Sequence, residues 1–388
     1  MSGYLEILKS TDVLIVFLIA TLGYAIGRIE YKGVDVGTAG VLLMALVLGH
    51  FGFSVPGFVN DVGTVLFVGC VGFIAGPKFF RDLRRNYKTY ILIGFVVILS
   101  GFAVTALSVV VGGLPAPLAS GVMTGALTST PGLAAAKEAA INAGIEGGEA
   151  MAATGYGVAY TFGVLGVVLF VQLLPKILKV DMAAEVANMA AANASEPKEY
   201  SGKLLEMDPM GMFVLSLGIV LGVALGKISV PLPGGASFSL GTSGGPLIAG
   251  LVLGHFGHIG PISLKVEKSV LEHFREFGLC MFLIAAGVKG GNGFVKYLSE
   301  YGISLLLWGV GITLVPMLIG TLLSYKILKI CLLNSLGSIT GGMTSTPALG
   351  SLIKVAGTDD VATSYASTYP IALVCVVLAA QFIVILFG

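Results

Sequence analysis

Charged residues are spaced so widely along this chain that it divides into apolar runs joined by short polar stretches. Uncharged runs cover 36–60, 89–136, 150–175, 228–264, 301–325, 330–353 and 361–388, and shorter ones cover 13–27, 62–77, 209–226 and 277–288. About 20 apolar helical residues cross a hydrocarbon layer of about 30 Å. The pattern therefore predicts an all-α polytopic membrane protein. Two of the runs carry a disruption: "GALTSTPGLAAAKEAA" begins at Gly125 and "GGMTSTPALGSLIKVA" at Gly341. Proline and clustered hydroxyls disfavour a plain spanning helix.

Those two stretches belong to an internal repeat. "LVLGHFG" at 46–52 returns unchanged at 251–257, "IAGPKF" around Lys78 answers "IAAGVKG" around Lys289, and "TGALTSTPGL" from Thr124 answers "TGGMTSTPAL" from Thr340. Tyr156 and Tyr160 match Tyr365 and Tyr369, each pair sharing one helix face. The chain thus divides into membrane repeats at 1–175 and 209–388, with a polar linker at 176–208.

Topology follows from lysine and arginine. If each Thr-Ser-Thr-Pro segment spans the membrane, each half has six crossings, the halves are parallel, and 12 of the 22 basic residues lie on the side of the "PKFFRDLRRNYK" cluster. If each dips in and returns, each half has five crossings, the halves are inverted, and that side gathers 17 of the 22: Arg28, Lys32, Lys78, Arg81, Arg84, Arg85, Lys88, Lys176, Lys179, Lys198, Lys203, Lys265, Lys268, Arg275, Lys326, Lys329 and Lys354. The positive-inside rule selects the second arrangement. The expectation is two inverted repeats, each of about five transmembrane helices plus a re-entrant or broken-helix hairpin, with both termini outside and the linker in the cytoplasm.

Ser-Thr-Pro is a helix-starting sequence, since a hydroxyl caps free N–H groups and proline has none to lose. Each hairpin tip is expected to be a half-helix N-terminus at mid-membrane, a place that suits anions. Thr128, Ser129, Thr130 and Pro131 with Thr344, Ser345, Thr346 and Pro347 form the expected substrate site. Tyr160 and Tyr369 are added because a hydroxyl deep in an apolar run needs a partner, although tyrosine also marks membrane interfaces. Lys289 is either an intramembrane functional charge or a side chain snorkelling to the interface. His50 and His255, at the ends of the identical "LGHFG" stretches, are read as interfacial.

Composition, 56% hydrophobic and 11% charged, agrees with the membrane reading, soluble domains carrying about 25% charged residues. A formal net charge of +1 gives no reason to expect nucleic acid. Cys70, Cys280, Cys331 and Cys375 lack metal or disulfide spacing. No HExxH motif occurs, and no enzyme, metal or cofactor is expected. Glu6 and Asp12 flank the first apolar run without a cleavage site, so no removed signal peptide is expected. An anion or dicarboxylate channel or exporter is the alternative function, since helix N-termini and hydroxyls serve channels as well.

On "TGALTSTPGLAAA" and "TGGMTSTPALGSL", the chain resembles the aspartate:alanine exchanger family of bacterial secondary transporters, over both hydrophobic halves. The resemblance implies antiport of small carboxylates or amino acids across a bacterial inner membrane, usually by a homodimer, with both termini outside. Family members often carry soluble regulatory domains in the central loop; 176–208 is too short for one.

Overall fold

The computed structural model describes residues 11–28, 30–31, 34–35, 39–192, 204–231, 237–291 and 294–388. Its helices are α1 (Asp12–Gly27), α2 (Ala39–His50), α3 (Gly57–Val110), α4 (Ala116–Ala126), α5 (Thr130–Asn142), α6 (Gly148–Ile177), α7 (Met182–Ala192), α8 (Met212–Gly226), α9 (Gly241–Phe256), α10 (Lys268–Gly291), α11 (Phe294–Thr321), α12 (Leu332–Gly342), α13 (Thr346–Ala356) and α14 (Val361–Phe387). Among the described residues, five stretches are long and apolar enough to cross a membrane: Gly57–Pro77, Asn86–Val110, Gly148–Ile177, Gly302–Ile327 and Val361–Phe387. The chain is thus an all-α multi-pass membrane protein, and three two-stranded antiparallel pairs between helices are small additions that the apolar runs did not announce. The long runs 36–60 and 228–264 hold shorter helices than their length suggests, α2 and α9; in the first, residues 51–56 lead into α3, and in the second, short strands at Ser229–Pro231, Ser237–Ser239, His258–Ile259 and Ile262–Ser263 lie on either side of α9.

Hydrogen bonding continues from Gly57 to Val110, but α3 does not run straight. Forty residues of straight helix would separate Asp61 from Gly101 by about 60 Å. Yet Asp61 lines the same cavity as Thr128, and Gly101 faces the neighbouring Leu127. The bend falls between the apolar arms Gly57–Pro77 and Asn86–Val110, where Pro77 withholds one backbone donor. The first arm packs with α9 and α10 and the second with α11 and α14, so α1, α2, α8, α9, α10 and the first arm make one lobe. The second arm, α4–α6 and α11–α14 make the other.

Glycines let helices touch backbone to backbone, which is how helices associate in lipid. In the first lobe the contact is reciprocal. A Cβ on Gly63 would lie 2.5 Å from Phe282 N, and one on Gly278 would lie 2.5 Å from Phe67 N. This pairing relates the halves by an offset of 215, not the 211 that equates Lys78 with Lys289. The two "IAG" segments match in composition but sit one helical turn out of register, and Lys289 corresponds to Ile74.

In the second lobe α4 and α6 run parallel: Gly121 faces Ala152, and Gly125 faces Tyr156 and Tyr160. Since α5 must then return from the end of α4 to the start of α6, α4–α5 is a hairpin. Its tip lies at Leu127–Ser129, and its mouth is where Gly148 meets Ala140 and Ile145. The same argument holds for α12–α13. Gly337 faces Val361 and Ser364 while Gly341 faces Tyr365, so α12 parallels α14 and α13 returns.

The hairpins enter from opposite ends. α14 starts at the mouth of the second hairpin and ends beside the mouth of the first, where Val384 packs with Ala139 and Ala140. α6 runs the other way, its Gln172 amide donating to Ser351 of the second hairpin at 3.1 Å. Within the linker, α7 packs on the second mouth, burying Met189 and placing Glu185 Oε2 2.6 Å from Leu332 N, the first residue of α12. Linker residues 193–203 lie outside the described residues.

Candidate functional site

The two tips meet. Thr344 Oγ1 donates to Leu127 O at 2.7 Å and Thr128 Oγ1 donates to Thr344 O at 3.3 Å. Both threonines hold a left-handed backbone, φ 54° for Thr128 and 49° for Thr344, which is uncommon outside glycine and costs energy that the tip-to-tip bonds offset. The sequence places both threonines in the expected substrate site; here their hydroxyls also bond across the junction of the two tips.

Ser129 and Ser345 are the N-caps, both in extended conformation. Ser129 Oγ accepts from Gly132 N at 3.2 Å, whereas Ser345 Oγ is fully buried without a partner among the described residues. Proline follows two positions later, inside the first turn, as its fixed φ and missing N–H allow. The first residue of each half-helix, Thr130 and Thr346, has a backbone N–H with no acceptor among the described residues, as does Ala348. Thr130 Oγ1 is 3.2 Å from Tyr156 OH, and Thr346 Oγ1 is 3.5 Å from Tyr365 OH. Each tyrosine stacks on its i+4 partner, Tyr160 or Tyr369, with ring centroids 5.2 and 5.4 Å apart. Tyr369 OH reaches across to Ser243 Oγ of the first lobe at 2.6 Å.

A cavity of about 670 Å³ lies between the lobes against this junction, within the usual size range of small-molecule sites. One wall is Thr128, Ser129, Thr130, Pro131, Tyr156, Tyr160, Thr344, Thr346 and Tyr369; the other is 53–64, Gly241–Ser243 and the end of α10 as far as Lys289. Of the residues expected from sequence, Ser345 and Pro347 are not on the wall: both are buried behind the second tip. Lys289 is exposed to the cavity. The cavity lies on the side of the first hairpin's mouth, since Tyr156 precedes the tip along α6 and Leu373 lies past the tip along α14.

Sequence reasoning missed Asp61, Asn60, Thr64 and Ser243. The signal for Asp61 was present, a lone acid between two apolar runs, but a charge at that position also reads as the boundary of a span. His50 and His255 take no part in the cavity; His255 packs its ring on Phe80, with centroids 4.7 Å apart. No group of three or more His, Cys, Asp or Glu that could hold a metal occurs among the described residues.

Comparison with known proteins adds a family. The family model described as "Predicted Permease Membrane Region", that of the aspartate/alanine exchangers, matches residues 15–176 and 214–385. An uncharacterized transporter of Bacteroides fragilis is 28% identical over 524 aligned positions, covering 95% of this chain and 97% of the relative. One of Rhodopirellula baltica is also 28% identical, covering 97% and 99%, and one of Desulfotalea psychrophila is 26% identical, covering 97% of each. Aligned lengths above 520 against a chain of 388 mean that these relatives carry segments this chain lacks. Matched across both membrane halves, the chain belongs to the aspartate/alanine exchanger family and is a membrane permease.

Proposed function

We propose that this permease is an antiporter of small carboxylates or amino acids, of the aspartate-against-alanine kind, working by alternating access about the two hairpin tips. The observation that carries the reading is the contact of two opposed tips beside one cavity. Half-helix N-termini approach a single point from opposite sides, and the N–H groups of Thr130 and Thr346 remain without protein acceptors there. Such donors stabilise a carboxylate through hydrogen bonds and the positive end of the helix dipole. Pinning both tips at one point lets one lobe move against the other and expose the site to either face in turn.

On this reading each half crosses the membrane five times and adds one hairpin, the halves are inverted, and both termini lie outside. The linker lies in the cytoplasm. The first hairpin's mouth then faces outward, and a cavity on that side corresponds to the outward-open state. The membrane is a bacterial inner membrane and the working unit a homodimer, assignments supported by family membership. The substrate site comprises Thr128–Pro131, Thr344, Thr346, Tyr160, Tyr369 and Lys289, with Ser345 and Pro347 shaping the second tip from behind. The test is counterflow in proteoliposomes: uptake of labelled L-aspartate should need L-alanine or L-aspartate inside. Equal uptake into empty vesicles would indicate a channel or uniporter.

A further inference from the structure

We infer that Asp61 reads the amino group of the substrate and so makes the cavity selective for amino acids over carboxylates that lack one. The inference rests on the exchanger reading and deepens it. Among the residues lining the cavity two are charged, Asp61 on the first arm of α3 and Lys289 at the end of α10. Neither joins an ion pair among the described residues, and the bond to the Asp61 carboxylate is from its neighbour Asn60 Nδ2, long at 3.4 Å. The opposite wall offers neutral hydroxyls and the unbonded N–H of Thr130 and Thr346, all suited to an anion.

An unpaired carboxylate is the wrong group to set facing an anion site if every ligand is a plain anion, because like charges repel across the cavity. It is the right group if the ligand also carries an ammonium, which it holds through charge-assisted hydrogen bonds. Donors on one wall and an acceptor charge on the other match the two ends of a zwitterion. A resident metal ion fits less well. Hard cations gather several oxygen ligands, and Asp61 is the one carboxylate on the cavity wall. Asp61 sits in the second turn of α3, so the experiment has to separate recognition from helix stability.

The experiment compares L-aspartate with succinate, which keeps both carboxylates and lacks the amino group. Affinities come from competition against labelled L-aspartate counterflow and from binding to the purified protein in detergent, for wild type, Asp61→Asn and Asp61→Glu. Wild type should favour L-aspartate. In Asp61→Asn the aspartate-to-succinate affinity ratio should fall by roughly ten- to hundred-fold, the scale of one hydrogen bond to a charged group, and Asp61→Glu should recover part of it. An unchanged ratio in Asp61→Asn, whether both affinities fall together or neither moves, overturns the assignment. So does a shift in sodium or proton dependence common to both compounds, which would make Asp61 a coupling-ion residue. Wild-type protein that neither binds nor exchanges either compound overturns the exchanger reading itself, and this assignment with it.

Discussion

Ser129 and Ser345 hold equivalent positions at the two tips, but only Ser129 caps its helix. Loss of an N-cap bond costs about 1 kcal/mol, whereas removing a buried hydroxyl that has no partner costs little. Ser129→Ala should therefore lower the thermal unfolding temperature in detergent while Ser345→Ala leaves it in place; the reverse order would contradict the hydrogen bonding described above. Asp208 offers a pH test outside the membrane. Backbone N–H groups of Phe213 and Met212, then Met210 and Gly211, hold its carboxyl below the usual value of 3.8. A lowered folded pKa means that the carboxylate stabilises the start of α8 above pH 3.8 and loses that effect as pH falls through the folded pKa. Asp208→Ala should be less stable than wild type at pH 7, with the gap narrowing as pH falls below 3.8; a constant gap would show that charge is not involved. The N-cap positions of Ser129 and Ser345 were legible in sequence because capping is local, although Ser129 alone of the two makes the cap bond. The use of Thr128 and Thr344 was not, because their partners lie more than 200 residues away.

At the scale of elements, the second hairpin depends on close packing of α12 against α14. A Cβ on Gly341 would stand 2.5 Å from the Tyr365 carbonyl oxygen, as one on Gly125 would from that of Tyr156. Gly341→Ala should destabilise by about 1–3 kcal/mol, the cost of overpacking, and should speed hydrogen exchange in α12 and α14 ahead of α8; exchange unchanged across the hairpin would contradict the packing. Hairpins could be expected from the Thr-Ser-Thr-Pro motif and the charge count, since a proline beside capping hydroxyls states where a helix starts. The register of the other helices was harder to read. Lys78 and Lys289 seemed equivalent because both follow similar "IAG" letters, yet reciprocal backbone contact at Gly63 and Gly278 sets the pairing one turn away. Sequence similarity over six letters does not resolve a shift of one helical turn.

For the whole molecule, the opposed hairpins make a sidedness prediction. In a cysteine-free background, cysteine at Glu146, by the first hairpin's mouth, should react with an impermeant thiol reagent from outside. Cysteine at Thr358, by the second mouth, should react from the cytoplasmic side alone, as should one at Ser195 in the linker. Labelling of positions 146 and 358 from the same face would refute the inverted arrangement. The all-α, multi-pass character was legible in the sequence, being a sum over many residues. The division into two lobes did not show in the sequence, because each lobe draws helices from both halves, and Asp61 was hidden for the same reason: it faces the tips only once the first arm of α3 packs on α10. The central claim, exchange about a shared junction, meets its most direct test in vesicles. Labelled L-aspartate should accumulate several-fold faster in proteoliposomes preloaded with L-alanine than in empty ones; equal rates in the two would contradict it.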